Sequence, residues 1–237
     1  MKAMIFAAGK GTRLRPFTDH HPKAMMEVNG IPLIERNIHY LQSFGINDFV
    51  INLHHFGEQI VDFLKEKNHF DAHIEFSHEK DQLLETGGGL IFAKKLLEQE
   101  EDFLIMNADI LTDMNITDFV NFHREQNSLV TLAVSDRKSS RKLLFDNEMI
   151  LRGWMNMDTG EERLAGFNNN YKKLAFSGIH CVDSQFFNHI TRTGKFSIME
   201  EYLDLMMTEE IYGFEHSAKL VDVGRPKSVL EAEQHFK

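Results

Sequence analysis

The sequence predicts an α/β fold, a doubly wound and mostly parallel Rossmann-like sheet with a smaller second lobe. Three observations carry this reading. Apolar runs of strand length alternate with segments of helical period, one run is apolar enough for a strand covered on both faces, and glycine-rich or acidic turns follow the ends of these runs.

KAMIFAA (2–8) has strand length. In IPLIERNIHYLQSFG (31–45), Ile34, Ile38, Leu41 and Phe44 recur at helical spacing, and Gly45 stands where a left-handed cap would end the helix. DFVINL (48–53) reads as a strand and FGEQIVDFLKEK (56–67) as a helix, which makes a βαβα beginning. HIEFS (73–77), a helix after Gly88 and the apolar strand DFLIMNADI (102–110) continue the alternation. Beyond about residue 135 come shorter strands, the polar stretch 158–173, LAFSGIHCV (174–182), a helix around FSIMEEYLDLMM (196–207) and the strand KLVDVG (219–224). Without a fixed-period repeat, low-complexity tract or Pro/Gly/Ser linker, 1–237 is read as a single domain with halves 1–134 and 135–237.

The 237 residues are 42% hydrophobic and 26% charged, with 20 Phe and 12 Met to fill a core, so disorder does not dominate. A formal net charge of −10 argues against a protein that mainly grips nucleic acid, which needs a dense positive footprint. The single cysteine, Cys181, permits neither an intramolecular disulfide nor a thiolate cluster and fits a reducing cytoplasm. The N-terminal apolar run is too short for a signal peptide and no later run reaches membrane-span length, so neither secretion nor membrane insertion is expected. Asn115 opens a glycosylation sequon, but a loop or helix-cap role is expected of it.

In an open α/β sheet, ligands sit beyond the carboxyl ends of the strands, and the chemistry-bearing motifs fall there. AAGKGTRLRPFT (7–18) follows the first strand. Gly9 and Gly11 let the backbone turn and approach an anion, while Arg13, Arg15 and Lys23 bring positive charge for phosphate oxygens. The spacing is not a P-loop, since no Gly-Lys-Ser/Thr ending follows Gly9. Leu14 occupies the third glycine position of a dinucleotide fingerprint, which disfavours a nicotinamide dehydrogenase. An ordinary glycine turn is the alternative. In LLETGGGL (83–90), Gly87 and Gly88 would clear room for a base or ribose, Leu83 and Leu84 would wall the base, and Thr86 would donate or cap the helix.

IMNADILTD (105–113) ends a buried strand in Asn107 and Asp109, and a carboxylate at such an edge suits magnesium; Asp113 is a less attractive ligand. Asp222, ending another apolar strand, could bracket the same ion, with strand termination or capping as the alternative. His20 with His21, and His54 with His55, are sequence neighbours that face opposite ways and make no chelate. Cys181 reads as a small buried residue rather than a nucleophile, and Trp154 has no assigned role.

Together, AAGKGTRLRPFT, PKAMMEVNGIPLI, ETGGG, NADI, FSGIH and VDVGRP resemble the sugar-1-phosphate nucleotidyltransferase family over nearly the whole chain. Motif order and spacing are most similar to its short N-acetylmuramate α-1-phosphate uridylyltransferases, followed by mannose- or heptose-1-phosphate guanylyltransferases. The resemblance implies Mg2+-dependent transfer of a nucleotidyl group from a nucleoside triphosphate to a sugar 1-phosphate, with release of pyrophosphate. It makes 1–134 mainly the nucleotide-binding half and 135–237 mainly the sugar-binding half. By position, Ala7, Ala8, Gly9, Gly11, Thr12, Arg13, Leu84, Thr86, Gly87, Gly88 and Asn107 would bind the nucleotide. Glu85, Asn107, Ser177 and Gly178 would border the sugar. Arg13, Lys23, Asp109 and Asp222 would be catalytic, with Asp109 and Asp222 holding the metal.

The expected pair is UTP with N-acetylmuramic acid 1-phosphate, in cell-wall precursor recycling. GTP with a mannose- or heptose-type phosphate is the alternative, and a non-catalytic nucleotide-sugar-binding regulator is the rival of another class. A muramate's lactyl carboxylate asks for a cation, for which Arg141, Lys142 and Lys172 are candidates. Ala108 stands where relatives carry glycine, PKAM replaces PKPL, and Ser197 stands where a lysine is usual, with Lys195 a neighbouring candidate.

Overall fold

A computed structural model describes residues 1–166 and 170–237; part of the polar stretch 158–173 lies outside the described residues. The first half runs β1 (Lys2–Phe6), the short hairpin β2 (Glu27–Val28) and β3 (Ile31–Pro32), α1 (Leu33–Gln42), β4 (Asp48–Leu53), α2 (Gly57–Glu66) and β5 (His73–His78). It continues through α3 (Glu85–Phe92), α4 (Lys94–Leu97), β6 (Asp102–Asn107), β7 (Ile110–Thr112), α5 (Ile116–Glu125) and β8 (Val130–Ser135). The second half comprises β9 (Arg141–Phe145), β10 (Leu151–Asn156), β11 (Glu162–Leu164), the long β12 (Lys172–Asp183), α6 (Phe186–His189), α7 (Ile198–Leu205), β13 (Ile211–Glu215), β14 (Leu220–Asp222) and α8 (Pro226–His235).

α1 forms where the apolar spacing predicts it. Ile34, Ile38 and Leu41 are fully buried, and Gly45, at φ 82°, closes its end. From the centre of the sheet to its edge, β6, β1, β4 and β5 lie parallel, with Phe6 beside both Asn52 and Asn107. Helices cover both faces of this centre, which is why β4 and β6 are apolar almost throughout. Antiparallel strands extend it. β12 pairs with β6 and β8 through its later residues and with β9 through its first, and β9, β10 and β11 form an antiparallel wing. A bulge between Phe176 and His180, with Gly178 at φ 77°, bends β12 from one set of partners to the other.

The helix expected after Gly88 begins at Glu85, so the glycines lie inside α3. A Cβ on Gly87 would stand 2.3 Å from the Phe196 ring, and one on Gly88 2.1 Å from the Gly194 carbonyl oxygen. Their bareness admits the chain that leads into α7, a packing reason for glycine beside the expected one of clearing room for a base. Asn115 caps α5, its side chain accepting the Thr117 and Asp118 N–H groups. Cys181 is fully buried in the core. No helix among the described residues is long and apolar enough to cross a membrane.

Candidate active site

The site forms where the two acidic strand ends meet. β14 pairs antiparallel with β7, which sets Asp222 opposite Ile110, and the Val223 N–H donates to the Asp109 carbonyl at 2.8 Å. Lys23 forms an ion pair with Asp109. Asp222 keeps a buried Oδ1 without a hydrogen-bond partner. Burial pushes its carboxyl above the ordinary range and the Asp109 charge adds to this, while Lys23, Arg13 and Arg137 oppose it. A Cβ on Gly224 would stand 2.7 Å from Asp222 Oδ1 and 2.9 Å from Arg13 Nη2, so the carboxylate and the guanidinium both crowd this bare glycine.

A cavity of about 300 Å³ lies against this cluster, lined by Ala7, Gly9, Gly11, Thr12, Arg13, Lys23, Thr86, Asn107, Asp109 and Gly224 among others. A second, of about 280 Å³, shares Thr86 and Asn107 with it and continues past Trp154, Phe176, His180 and Ser197 to Arg137, Arg141 and Lys142. Two adjoining compartments that share Thr86 and Asn107, with Asp109 on the wall of the first, suit a reaction between two phosphate-bearing substrates.

The loop after β1 is held from below by residues the motifs did not single out. Asn52 Oδ1 accepts the N–H groups of Ala7 and Ala8 at 2.9 and 3.3 Å, and its Nδ2 donates to Glu79 Oε1 at 2.6 Å. Glu79, 2% exposed, accepts the Leu84 N–H at 2.7 Å through its other oxygen, which ties the first glycine loop to the second. Burial pushes the Glu79 carboxyl up, and the hydrogen bonds from Leu84 and Asn52 pull it back. A Cβ on Gly89 would stand 2.6 Å from Glu79 Oε1, so the third glycine makes room for this carboxylate. An Asn within the apolar run of DFVINL that follows Asp48 was the available signal.

Several expected residues serve differently. Thr86 Oγ1 accepts the Ile198 N–H at 2.9 Å, so it caps α7 instead of its own helix. Ser177 is fully buried, its Oγ 2.9 Å from His216 Nε2 and 3.4 Å from Ser135 Oγ. Its side chain is thus engaged inside the protein and lines neither cavity. Gly178 does approach the site, since its Cβ position is 3.1 Å from Asn107 Nδ2. Ala8, Leu83, Leu84 and Glu85 do not line the first cavity. Glu85, at φ 62°, pairs with Lys195 at 3.4 Å. Lys172 pairs with Glu215 and lies off the second cavity, while Arg15 pairs with Asp19 at 3.1 Å. Asp113 Oδ1 is occupied by the Lys219 N–H at 2.8 Å. No group of three or more His, Cys, Asp or Glu able to hold a metal occurs among the described residues. Arg137, with no sequence motif of its own, lines the second cavity, and Trp154 gains a place on the same wall.

A family model described as nucleotidyl transferase matches residues 2–143. The chain is 43% identical over 117 residues to an N-acetylmuramate alpha-1-phosphate uridylyltransferase of Neisseria meningitidis serogroup B, across 49% of this chain and 50% of the relative. It is 26% identical over 232 residues to a mannose-1-phosphate guanyltransferase of Yarrowia lipolytica, across 97% of this chain and 62% of the relative. The chain thus spans between 50% and 62% of the length of these two relatives. Among solved structures, HddC from Yersinia pseudotuberculosis complexed with GMP-PN matches with a TM-score of 0.81 at 21% identity, covering 100% of this chain and 99% of that one. A UDP-glucose pyrophosphorylase complexed with UDP-glucose matches with a TM-score of 0.82 at 17% identity, covering 99% and 97%. These likenesses show a shared fold.

Proposed function

The chain belongs to the nucleotidyl transferase family, and from that membership we propose that it joins a sugar 1-phosphate to a nucleoside triphosphate, yielding a nucleotide sugar and pyrophosphate. One observation carries the reading: Asp109 and Asp222 come together beside Lys23, next to two cavities that meet at Thr86 and Asn107.

The donor set fits a magnesium ion. Carboxylate oxygens are its preferred protein ligands, and Asp222 Oδ1 is a buried anionic atom that no hydrogen bond satisfies. Asp109 and Asp222 would hold the ion, which when bound supplies charge neutralisation at the reacting phosphates.

The remaining chemistry is positioning by the chain itself. An oxygen of the sugar's phosphate attacks the nucleotide α-phosphorus, and the bond from that phosphorus to pyrophosphate breaks as the new one forms. With a second phosphate pKa of about 6, the attacking oxygen is already ionised near neutral pH, so no general base is required. The loop from Ala7 to Arg13 holds the triphosphate, its bend fixed by Gly11 at φ 59° and by Asn52 beneath it. Lys23, committed to Asp109 in the free protein, turns its charge to the phosphate near the reacting phosphorus, and Arg13 steadies the departing pyrophosphate.

For the substrates we favour UTP with N-acetylmuramic acid 1-phosphate over GTP with a mannose- or heptose-type phosphate. The support is the 43% identity to the uridylyltransferase over 117 residues, a denser local match than the 26% over 232 residues to the guanyltransferase. A matrix of nucleoside triphosphates against sugar 1-phosphates, scored by pyrophosphate release with magnesium, tests both levels. The pair named should give the highest kcat/KM. A higher value for the guanosine pair would remove the preference, and nucleotide-sugar binding without pyrophosphate release from any pair would replace the enzyme by a regulator.

A further inference from the structure

We propose that the second cavity reads two anions on one substrate, Arg137 taking the sugar's 1-phosphate and Arg141 a further negatively charged group on the sugar itself. The inference rests on the transferase reading above and adds to it the residues that select the sugar.

Charge is the first observation. Arg137, Arg141 and Lys142 line this cavity of about 280 Å³ and no Asp or Glu does, in a chain of net charge −10. Such a local excess of positive charge is what an anionic ligand compensates. The three cations are not equivalent. Lys142 is spent on structure, its ammonium donating to the Arg137 carbonyl at 2.7 Å and lying 3.7 Å from Asp136. It fixes the turn that carries Arg137.

Arg137 is held but not satisfied. Its Nη2 donates to the Phe176 carbonyl at 2.8 Å, while its Nε is buried without a partner. It also lines the groove that contains Asp222, and the charges of the two residues influence one another. A half-buried guanidinium on the metal-carboxylate side of the sugar cavity is placed for the phosphate that must react there.

Arg141 faces the cavity without lining the Asp222 groove. Its side chain is exposed, and it has no carboxylate within ion-pair distance among the described residues. It opens β9, opposite Asn156 at the far end of β10 from Leu151, two residues from Trp154 along that strand's register. The two arginines therefore address different ends of one ligand, with the indole beside them available as a floor for the sugar ring.

The test compares sugar phosphates that differ only by an anionic group. N-acetylmuramic acid 1-phosphate is set against N-acetylglucosamine 1-phosphate, and glucuronic acid 1-phosphate against glucose 1-phosphate, with pyrophosphate release from UTP and magnesium as the readout. The acidic member of at least one pair should be favoured by about tenfold or more in kcat/KM, the scale of one charge-assisted contact. Arg141→Gln should erase that preference through KM for the acidic sugar, leaving the neutral sugar and UTP within about twofold. Arg137→Gln should raise KM for acidic and neutral sugars alike, with KM for UTP unchanged, and Arg137→Lys should recover part of the loss. Equal kcat/KM within both pairs for the unaltered protein, or an Arg141→Gln effect shared by acidic and neutral sugars, would overturn the proposal. Absence of turnover with any sugar phosphate would count against the transferase reading instead. Calorimetric binding of the same pairs then decides this inference: tighter binding of an acidic sugar that Arg141→Gln abolishes supports it, and equal binding refutes it.

Discussion

Asp109 and Asp222 are held close enough to raise the cost of charging Asp222, and Lys23 and Arg13 offset that cost only in part. A pair kept at such a disadvantage should separate activity from stability. Asp109→Asn and Asp222→Asn are each expected to remove most turnover, most severely at limiting magnesium, because a neutral amide is a weaker ligand. In magnesium-free buffer Asp222→Asn should be as stable as the parent or more so, by up to about 2 kcal/mol in chemical denaturation, since it removes a buried anion that its surroundings disfavour. Normal turnover by both variants would dismiss the shared metal site, and unfolding of Asp222→Asn would recast that residue as structural. Lys23 belongs to the same cluster. Lys23→Ala should lower kcat more than it weakens binding of free nucleotide, because the ammonium is neutralised by Asp109 until a substrate phosphate competes for it. Equal losses in nucleotide affinity and in kcat/KM would mean that it binds ground and transition states alike.

Elements explain why some of this was legible in the sequence and some was not. The spacing of Ile34, Ile38 and Leu41 revealed α1, because a helix buries one face at a fixed period whatever it packs against. Asp109 and Asp222 were legible as strand ends for a similar reason, since an apolar run that stops in a carboxylate marks a sheet edge. The packing role of the three glycines of α3 was not legible because a local rule, that glycine costs entropy and needs a reason, does not name the reason. Here the reasons are Phe196, Gly194 and Glu79, the first two more than 100 residues further along the chain and none predictable from the motif's own letters. Arg137 was invisible likewise, since its position depends on how β8 and β12 pair around the bulge at Gly178. This distinction between packing glycines and ligand-facing ones can be measured. Gly88→Ala should destabilise the fold by about 1–3 kcal/mol, because the added methyl meets a backbone carbonyl rather than a side chain that can rotate away. Gly9→Ala meets nothing within 4 Å and should change stability by no more than about 0.5 kcal/mol, while its methyl alters the wall of the first cavity and weakens UTP. The opposite ranking of the two in denaturation would place the functional glycine in α3.

Across the whole molecule, the sheet that brings both cavities together also buries histidines as neutral groups. Burial pulls His123 and His216 below the ordinary value and takes His180 down to about 3, where it lies fully enclosed with Nδ1 2.5 Å from the Tyr202 hydroxyl. The sign of the consequence is fixed by which state binds more protons. Between about 3 and the ordinary histidine value of 6.5, the unfolded chain is protonated at this residue and the folded chain is not. His180 therefore contributes no penalty above about pH 6.5, and stability falls as pH is lowered, by at most about 1.4 kcal/mol per unit from this one group. Carboxyls raised by burial act in the opposite sense: Glu79, Glu201 and Asp222 hold protons more readily in the folded state and soften the fall as pH drops. Total acid sensitivity therefore mixes the two signs, and only a variant isolates the histidine. His180→Gln removes the titration and should lose stability near pH 7.5, where the lost packing against Phe6, Phe176 and Tyr202 is felt in full. Its deficit relative to the parent should shrink steadily from pH 6.5 to pH 5 as the parent alone incurs the cost of keeping this imidazole neutral. Urea denaturation of both proteins across that range reads the difference directly, and parallel stability curves would show that folding does not lower the affinity of His180 for its proton.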